Sequence, residues 1–134
     1  MIAALALAAA APDPAAGTLA RYIAGKHALA PIACIQPDLT AQPKVVDGQG
    51  IVYFRAGVTY FARFEGGGCP QLRADRTFST ASLSGRLCRH DAVRVVESGG
   101  GTGYGFCTFD AFVPYVKAHR SHRPPSPAPP DHLG

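Results

Sequence analysis

The sequence predicts a mainly all-β chain: a small antiparallel β-barrel or sandwich, preceded by a short N-terminal helix and followed by a disordered C-terminal tail. Three observations carry this. From Cys34 onward, short runs of β-branched and aromatic residues alternate with Gly, Asp and Pro, the punctuation of strands and turns. No helical periodicity intervenes between those runs, which points to a sandwich or barrel and away from a βαβ fold. Four cysteines, Cys34, Cys69, Cys88 and Cys107, lie within this β-rich stretch, as in small disulfide-stapled exported domains.

The chain divides into a signal-like apolar segment (1–11), a short helix and linker (12–32), a disulfide-stapled β domain (33–117) and a Pro-rich tail (118–134). Residues 1–11 contain only Met, Ile, Leu and Ala. The run is shorter than the ~20 apolar residues that cross a bilayer. It matches the apolar region of a secretory signal, and Ala8-Ala9-Ala10 supplies the small residues that cleavage requires. Cleavage is expected near Ala10–Ala11, and a periplasmic or secreted product with no membrane span follows. The competing reading is a helix N-terminus packed on the body.

Thr18 to Ala30 reads as a helix, with Leu19, Tyr22, Ile23, Lys26 and Leu29 near 3.6-residue spacing, Thr18 as N-cap and Pro31 as the stop. Strands are predicted near Ala33–Gln36, Lys44–Val46, Ile51–Arg55, Val58–Phe64, Phe78–Ser82, Ala92–Glu97 and Tyr104–Phe109, with a last extended stretch over Pro114–Val116. Ala56-Gly57 is a tight hairpin turn between the two most aromatic runs, since glycine supplies the positive φ that such turns need. His119 to Gly134 holds five prolines and too little apolar surface to order itself.

The net charge of +4 carries little functional information once divided along the chain. From Cys34 to Phe112 eight Lys/Arg face seven Asp/Glu, so the body is nearly neutral. A nucleic-acid reader needs a concentrated basic face, and none is expected. Arg120 and Arg123, with Lys117 just upstream, give the tail a basic character suited to loose attraction to an anionic envelope surface.

The cysteine spacings of 35, 19 and 19 include no close pair of the kind that zinc or redox sites use. All four are therefore read as disulfide cysteines. Sequence alone leaves the connectivity open; the favoured pairing is Cys69–Cys88 with Cys34–Cys107, which joins the first and last strands. The glycine-rich stretch Ser98 to Gly105 fails as a phosphate loop. No Gly-Lys-Ser/Thr follows it, and a strand rather than a helix comes next.

Arg89-His90-Asp91 is the most polar cluster of the body and the candidate site. His90 and Asp91 suggest an acid–base pair, but neighbours on a strand point to opposite faces. Asp91 is better read as a turn residue bonding nearby backbone N–H groups. His119 and His122 lie in the tail with no second shell to orient them. No metal, cofactor or catalytic residue is assigned.

Cys34-Ile35, the hairpin Ile51–Phe64, Cys69-Pro70-Gln71-Leu72, Leu87-Cys88-Arg89-His90-Asp91 and Phe106-Cys107-Thr108-Phe109 follow one another in order. Together they resemble a family of small exported bacterial proteins of unknown function, marked by four cysteines and an L-C-x-x-D element. The resemblance covers Ala33 to Val113. It implies export and a compact β domain and no known activity. The leading expectation is a non-enzymatic envelope binding or accessory module, its partner an envelope protein or an anionic envelope surface. The alternative is a small-ligand or enzymatic site around Arg89, His90, Asp91 and the Tyr53/Tyr60 hairpin.

Overall fold

The structure is a computed structural model that describes residues 14–38, 40–80 and 85–118. The signal-like segment 1–11 and the tail beyond Ala118, with its histidines and basic residues, lie outside the described residues.

The chain begins with helix α1 (Pro14–Ile23) and continues through strands β1 (Lys26–Ala28), β2 (Cys34–Ile35), β3 (Lys44–Val46), β4 (Gly50–Arg55) and β5 (Val58–Phe64). After a 3-10 turn (Glu65–Gly67) come β6 (Arg76–Thr80), β7 (Leu87–Cys88), β8 (Ala92–Glu97) and the long β9 (Gly103–Lys117). The expected all-β class holds, in the form of one curled antiparallel half-barrel sheet. Its strand order is β3-β4-β5-β9-β8-β6, β1 also pairs with β9, and β2 and β7 form a separate two-stranded ladder.

β9 organises the fold. Its C-terminal half pairs with β5 along one edge and with β1 along the other. Past β1, an Ile32–Phe112 bridge extends the ladder, and β8 takes over along the N-terminal half. Asp110 and Pro114 interrupt the apolar pattern, which is why the sequence suggests two pieces where one strand runs through. Pro114 is tolerated because its carbonyl still accepts from the Leu29 amide at 2.8 Å. Only a donor is lost, beside the irregular Leu29–Ile32 segment.

The N-terminal elements also differ from expectation. The helix starts at Pro14, whose fixed φ and missing N–H suit the first helical position, so Thr18 lies within the helix and does not cap it. It ends before Gly25, which takes φ 72° and turns the chain. Lys26 to Ala28, read from sequence as helix, instead gain a ladder of hydrogen bonds against β9. The segment expected as a helix and linker thus supplies a sheet strand.

Strand alternation gives the sheet two apolar faces. The inner face buries Ile51, Tyr53, Ala62, Phe64, Phe109 and Phe112 with Leu72, Leu87, Val93 and Val95. Phe109 is its centre: its ring lies 5.3 Å from Phe64, 5.1 Å from Phe112 and 6.5 Å from Tyr53. The outer face of β3, β4 and β5 buries Val46, Val52 and Phe61 beneath Leu19 and Tyr22 of α1. Ala56 (φ 49°) and Gly57 (φ 79°) close the β4–β5 hairpin, both left-handed as a type I′ turn demands.

Both disulfides form, and their pairing corrects the favoured one: the bonds are Cys34–Cys88 and Cys69–Cys107. The favoured pairing assumed that the first and last strands meet through their cysteines. In the fold Cys34 instead meets Cys88 on β7, and the loop after β5 brings Cys69 under β9 at Cys107. The covalent loops span 54 and 38 residues and interlock. Each contributes up to ~4 kcal/mol on the chain-entropy account, less for the second because the first already shortens it.

Candidate functional site

The predicted cluster sits on the tight turn between β7 and β8. Asp91 makes that turn: its Oδ2 accepts from the Cys88 amide at 2.8 Å, and its own amide donates to the Cys88 carbonyl at 3.1 Å. His90 occupies the turn with φ 74°, a conformation histidine tolerates better than most residues. The backbone is pinned on both sides, Arg89 donating to the Ala33 carbonyl and His90 to the Phe109 carbonyl.

The three side chains then part company. Arg89 pairs with Asp110 of β9 at 3.2 Å. His90 Nδ1 lies 2.6 Å from Glu65 Oε1 on the 3-10 turn after β5. Asp91 faces back into its own turn, so His90 and Asp91 do not cooperate. Glu65 and Asp110 are the partners that sequence reasoning missed. Asp110 had a signal, as a lone charge inside the aromatic run Phe109–Phe112; Glu65, next to three glycines, had none.

A carboxylate only accepts, so this contact sets the Nδ1 edge of the imidazole against Glu65. The imidazole is 70% exposed, so water competes for every contact it makes. All four cysteines are in disulfides and supply no nucleophile. Among the described residues no group of three or more His, Cys, Asp or Glu is placed to hold a metal ion.

Beside this turn lies a cavity of about 360 Å³ with an apolar floor of Phe61 and Phe64 and a polar rim of Gln49, Arg63 and Asp110. Asp110 therefore joins the Arg89 pair to the cavity wall. A second cavity of about 360 Å³ occupies the seam where the half-barrel stays open, between Lys44 and Val45 of β3 and Arg76, Thr77 and Phe78 of β6. There Arg76 is already engaged: its guanidinium stacks 3.7 Å over the Tyr104 ring and donates to the Gln71 carbonyl. Tyr104 in turn donates to Glu97, which holds its phenol above the ordinary range.

The glycine-rich loop forms the β8–β9 hairpin connection. The Glu97 amide donates to the Thr102 carbonyl, and Ser98 Oγ donates to the Asp75 carbonyl. Gly99, Gly100 and Gly101 all take positive φ, as a sharp loop requires. Its N–H groups serve a turn between strands and not a helix N-terminus.

No family model matches the chain, and no curated protein or solved structure matches it.

Proposed function

We propose that this chain is an exported small β domain, periplasmic or secreted, that acts without catalysis as a binding or accessory module of a bacterial envelope. The observation that carries the reading is the union of all four cysteines in two interlocking disulfides, a device suited to oxidising compartments and to domains with small cores. The turn at Arg89, His90 and Asp91 supports the non-enzymatic part. Each side chain answers to a different structural partner, and Asp91 is spent on its own backbone. Among the described residues no helix is long and apolar enough to cross a membrane.

The test is expression in a bacterial host with the native upstream region, followed by fractionation, N-terminal sequencing and thiol titration under denaturing conditions. Cleavage near Ala10–Ala11 and no titratable thiol in the exported fraction are expected. An uncleaved chain in the cytosol with four reactive thiols would overturn the reading. Capture on the immobilised oxidised domain then asks which envelope component binds.

The alternative is a small-ligand site at the His90–Glu65 pair, favoured by the adjoining cavity that Asp110 rims. His90→Ala should abolish ligand-dependent shifts there if this reading holds, and leave partner capture intact if it does not.

A further inference from the structure

Lys26 and Lys117 are register partners on β1 and β9, directly opposite each other across the ladder. Like charges so placed repel and weaken a strand pair. Neither lysine forms an ion pair with a carboxylate among the described residues. Lys26 is half-buried, and its Nζ is held in place, donating to Thr59 Oγ1 at 2.6 Å and to the Tyr22 carbonyl at 3.2 Å. Thr59 is itself buried. The ammonium is thus fixed by neutral oxygens, which orient it without neutralising it.

Both lysines line one cavity of about 240 Å³ at the end of the half-barrel, beside the β4–β5 hairpin. A third cation, Arg55, stands on its rim, with Phe54 and Val58 as apolar wall. Among the described residues the single carboxylate lining the cavity is Asp38. Its Oδ1 accepts from the Thr40 amide and hydroxyl at 2.9 and 2.7 Å, contacts that hold its carboxyl below the usual range, with a smaller contribution from the charge of Arg55. If Asp38 is set against Arg55, two ammonium charges remain. The volume lies below the ~300 Å³ at which drug-sized pockets begin, so it suits a head group and not an extended ligand.

We propose that this cavity binds a dianionic phosphate monoester, the phosphate bridging Lys26 and Lys117 and a short apolar body resting on Phe54 and Val58. The anion turns a destabilising like-charge pair into two charge-assisted contacts. The proposal deepens the binding-module reading and rests on it only in that the domain binds something; it makes no use of export or of any protein partner.

The test uses the full oxidised chain with three probes: inorganic phosphate, glycerol phosphate, and vesicles of phosphatidic acid against phosphatidylcholine. Melting shifts and calorimetric titration are read at fixed ionic strength. Wild type should bind one or more phosphate probes saturably, with a rise in Tm. Lys117→Gln and Lys26→Gln should each weaken that binding about tenfold, the loss expected for one charge-assisted contact. Lys44→Gln, which removes a cation from the open seam instead, should leave it unchanged. The Lys117 side chain makes no hydrogen bond or ion pair among the described residues and its place in the ladder is held by the backbone, so Lys117→Gln keeps the test valid if Lys26→Gln fails to fold. Saturable binding of the soluble monoesters supports a free ligand, and binding of phosphatidic acid vesicles alone supports a lipid head group. No saturable binding, or equal losses in Lys44→Gln and Lys117→Gln, overturns the proposal. Partner capture by the Lys117→Gln protein would then still report separately on the module reading.

Discussion

Cys34 and Cys88 stand directly opposite each other on β2 and β7, their Cα atoms 4.0 Å apart, at the one register position where that two-stranded ladder also carries a covalent bond. β2 and β7 are two residues each. So short a ladder is marginal by itself, and the disulfide ties its two strands to each other. The other bond is more enclosed, with Cys69 fully buried. Digestion under non-reducing conditions should give the linked peptides Cys34–Cys88 and Cys69–Cys107. Under mild reductant the half-buried Cys34–Cys88 bond should open first, because access limits thiol exchange. Linked peptides joining Cys69 to Cys88 would refute the topology.

Phe109 should be the most costly single truncation. It is fully buried and packs against Phe64, Phe112 and Tyr53 on the inner face. Phe109→Ala removes those contacts and leaves a void that the disulfide-tied strands cannot collapse. A loss of about 3–5 kcal/mol in denaturant midpoint measurements is expected. Phe106→Ala on the same strand is the control. Phe106 is 66% exposed, and its removal should cost under about 0.5 kcal/mol.

Strands whose pattern is local were readable from the sequence. Lys44–Val46, Val58–Phe64 and Ala92–Glu97 come out with the expected bounds, and Ala56-Gly57 makes the expected hairpin turn. What escaped was decided by partners distant in the chain. Lys26–Ala28 has helical spacing and becomes a strand because β9 offers an edge. Tyr104–Phe109 and Pro114–Val116 read as two separate stretches and join into one strand because β5 pairs with β9 from Phe109 to Tyr115 and the Pro114 carbonyl accepts from the Leu29 amide. The disulfide pairing failed for the same reason, since it depends on which strands meet. At the candidate site, Asp91 has the turn role its residue type suggests. The contacts from His90 to Glu65 and from Arg89 to Asp110 cross 25 and 21 residues and left no local trace.

Gly50 should not accept a side chain. A Cβ there would sit 2.2 Å from the Ala62 carbonyl oxygen and 2.7 Å from the Phe61 ring. The β4–β5 backbone would have to move, and Phe61 carries part of the contact with α1. Gly50→Ala should cost at least about 1–3 kcal/mol, the range for overpacked sites. Gly57→Ala, where open space surrounds the added carbon, should show only the strain of its positive φ.

Tyr53 gives the fold an alkaline limit. Its ring is buried, and its hydroxyl has no hydrogen-bond partner among the described residues. Burial pushes the phenol well above its ordinary value. The folded state therefore keeps the proton that the unfolded chain releases near pH 10. The stability tied to this group is complete below that pH and declines as pH rises from there toward the folded value. Tyr53→Phe should leave stability at pH 7 unchanged or slightly higher, because an unpaired hydroxyl leaves the core. It should also flatten the loss between pH 10 and 11. A fall of more than about 2 kcal/mol at pH 7 would mean that the hydroxyl has a partner.

Ala56 is the position where a substitution should improve the protein. It takes φ 49° in the hairpin turn, a left-handed conformation that costs a residue with a Cβ roughly 1–2 kcal/mol. Asparagine tolerates that conformation by bonding its own backbone, and Asn-Gly is the favoured pair for a type I′ turn. The strands on either side stay in register from Arg55–Val58 to Gly50–Arg63, so the turn alone changes. Ala56→Asn should raise stability by about 0.5–1 kcal/mol and Ala56→Gly by less, because glycine also gains freedom in the unfolded chain. Ala56→Val, with a branched carbon at positive φ, should lower stability by more than Asn raises it. Melting curves of the three variants decide the matter. If all three matched wild type, the turn would have to take another form in solution.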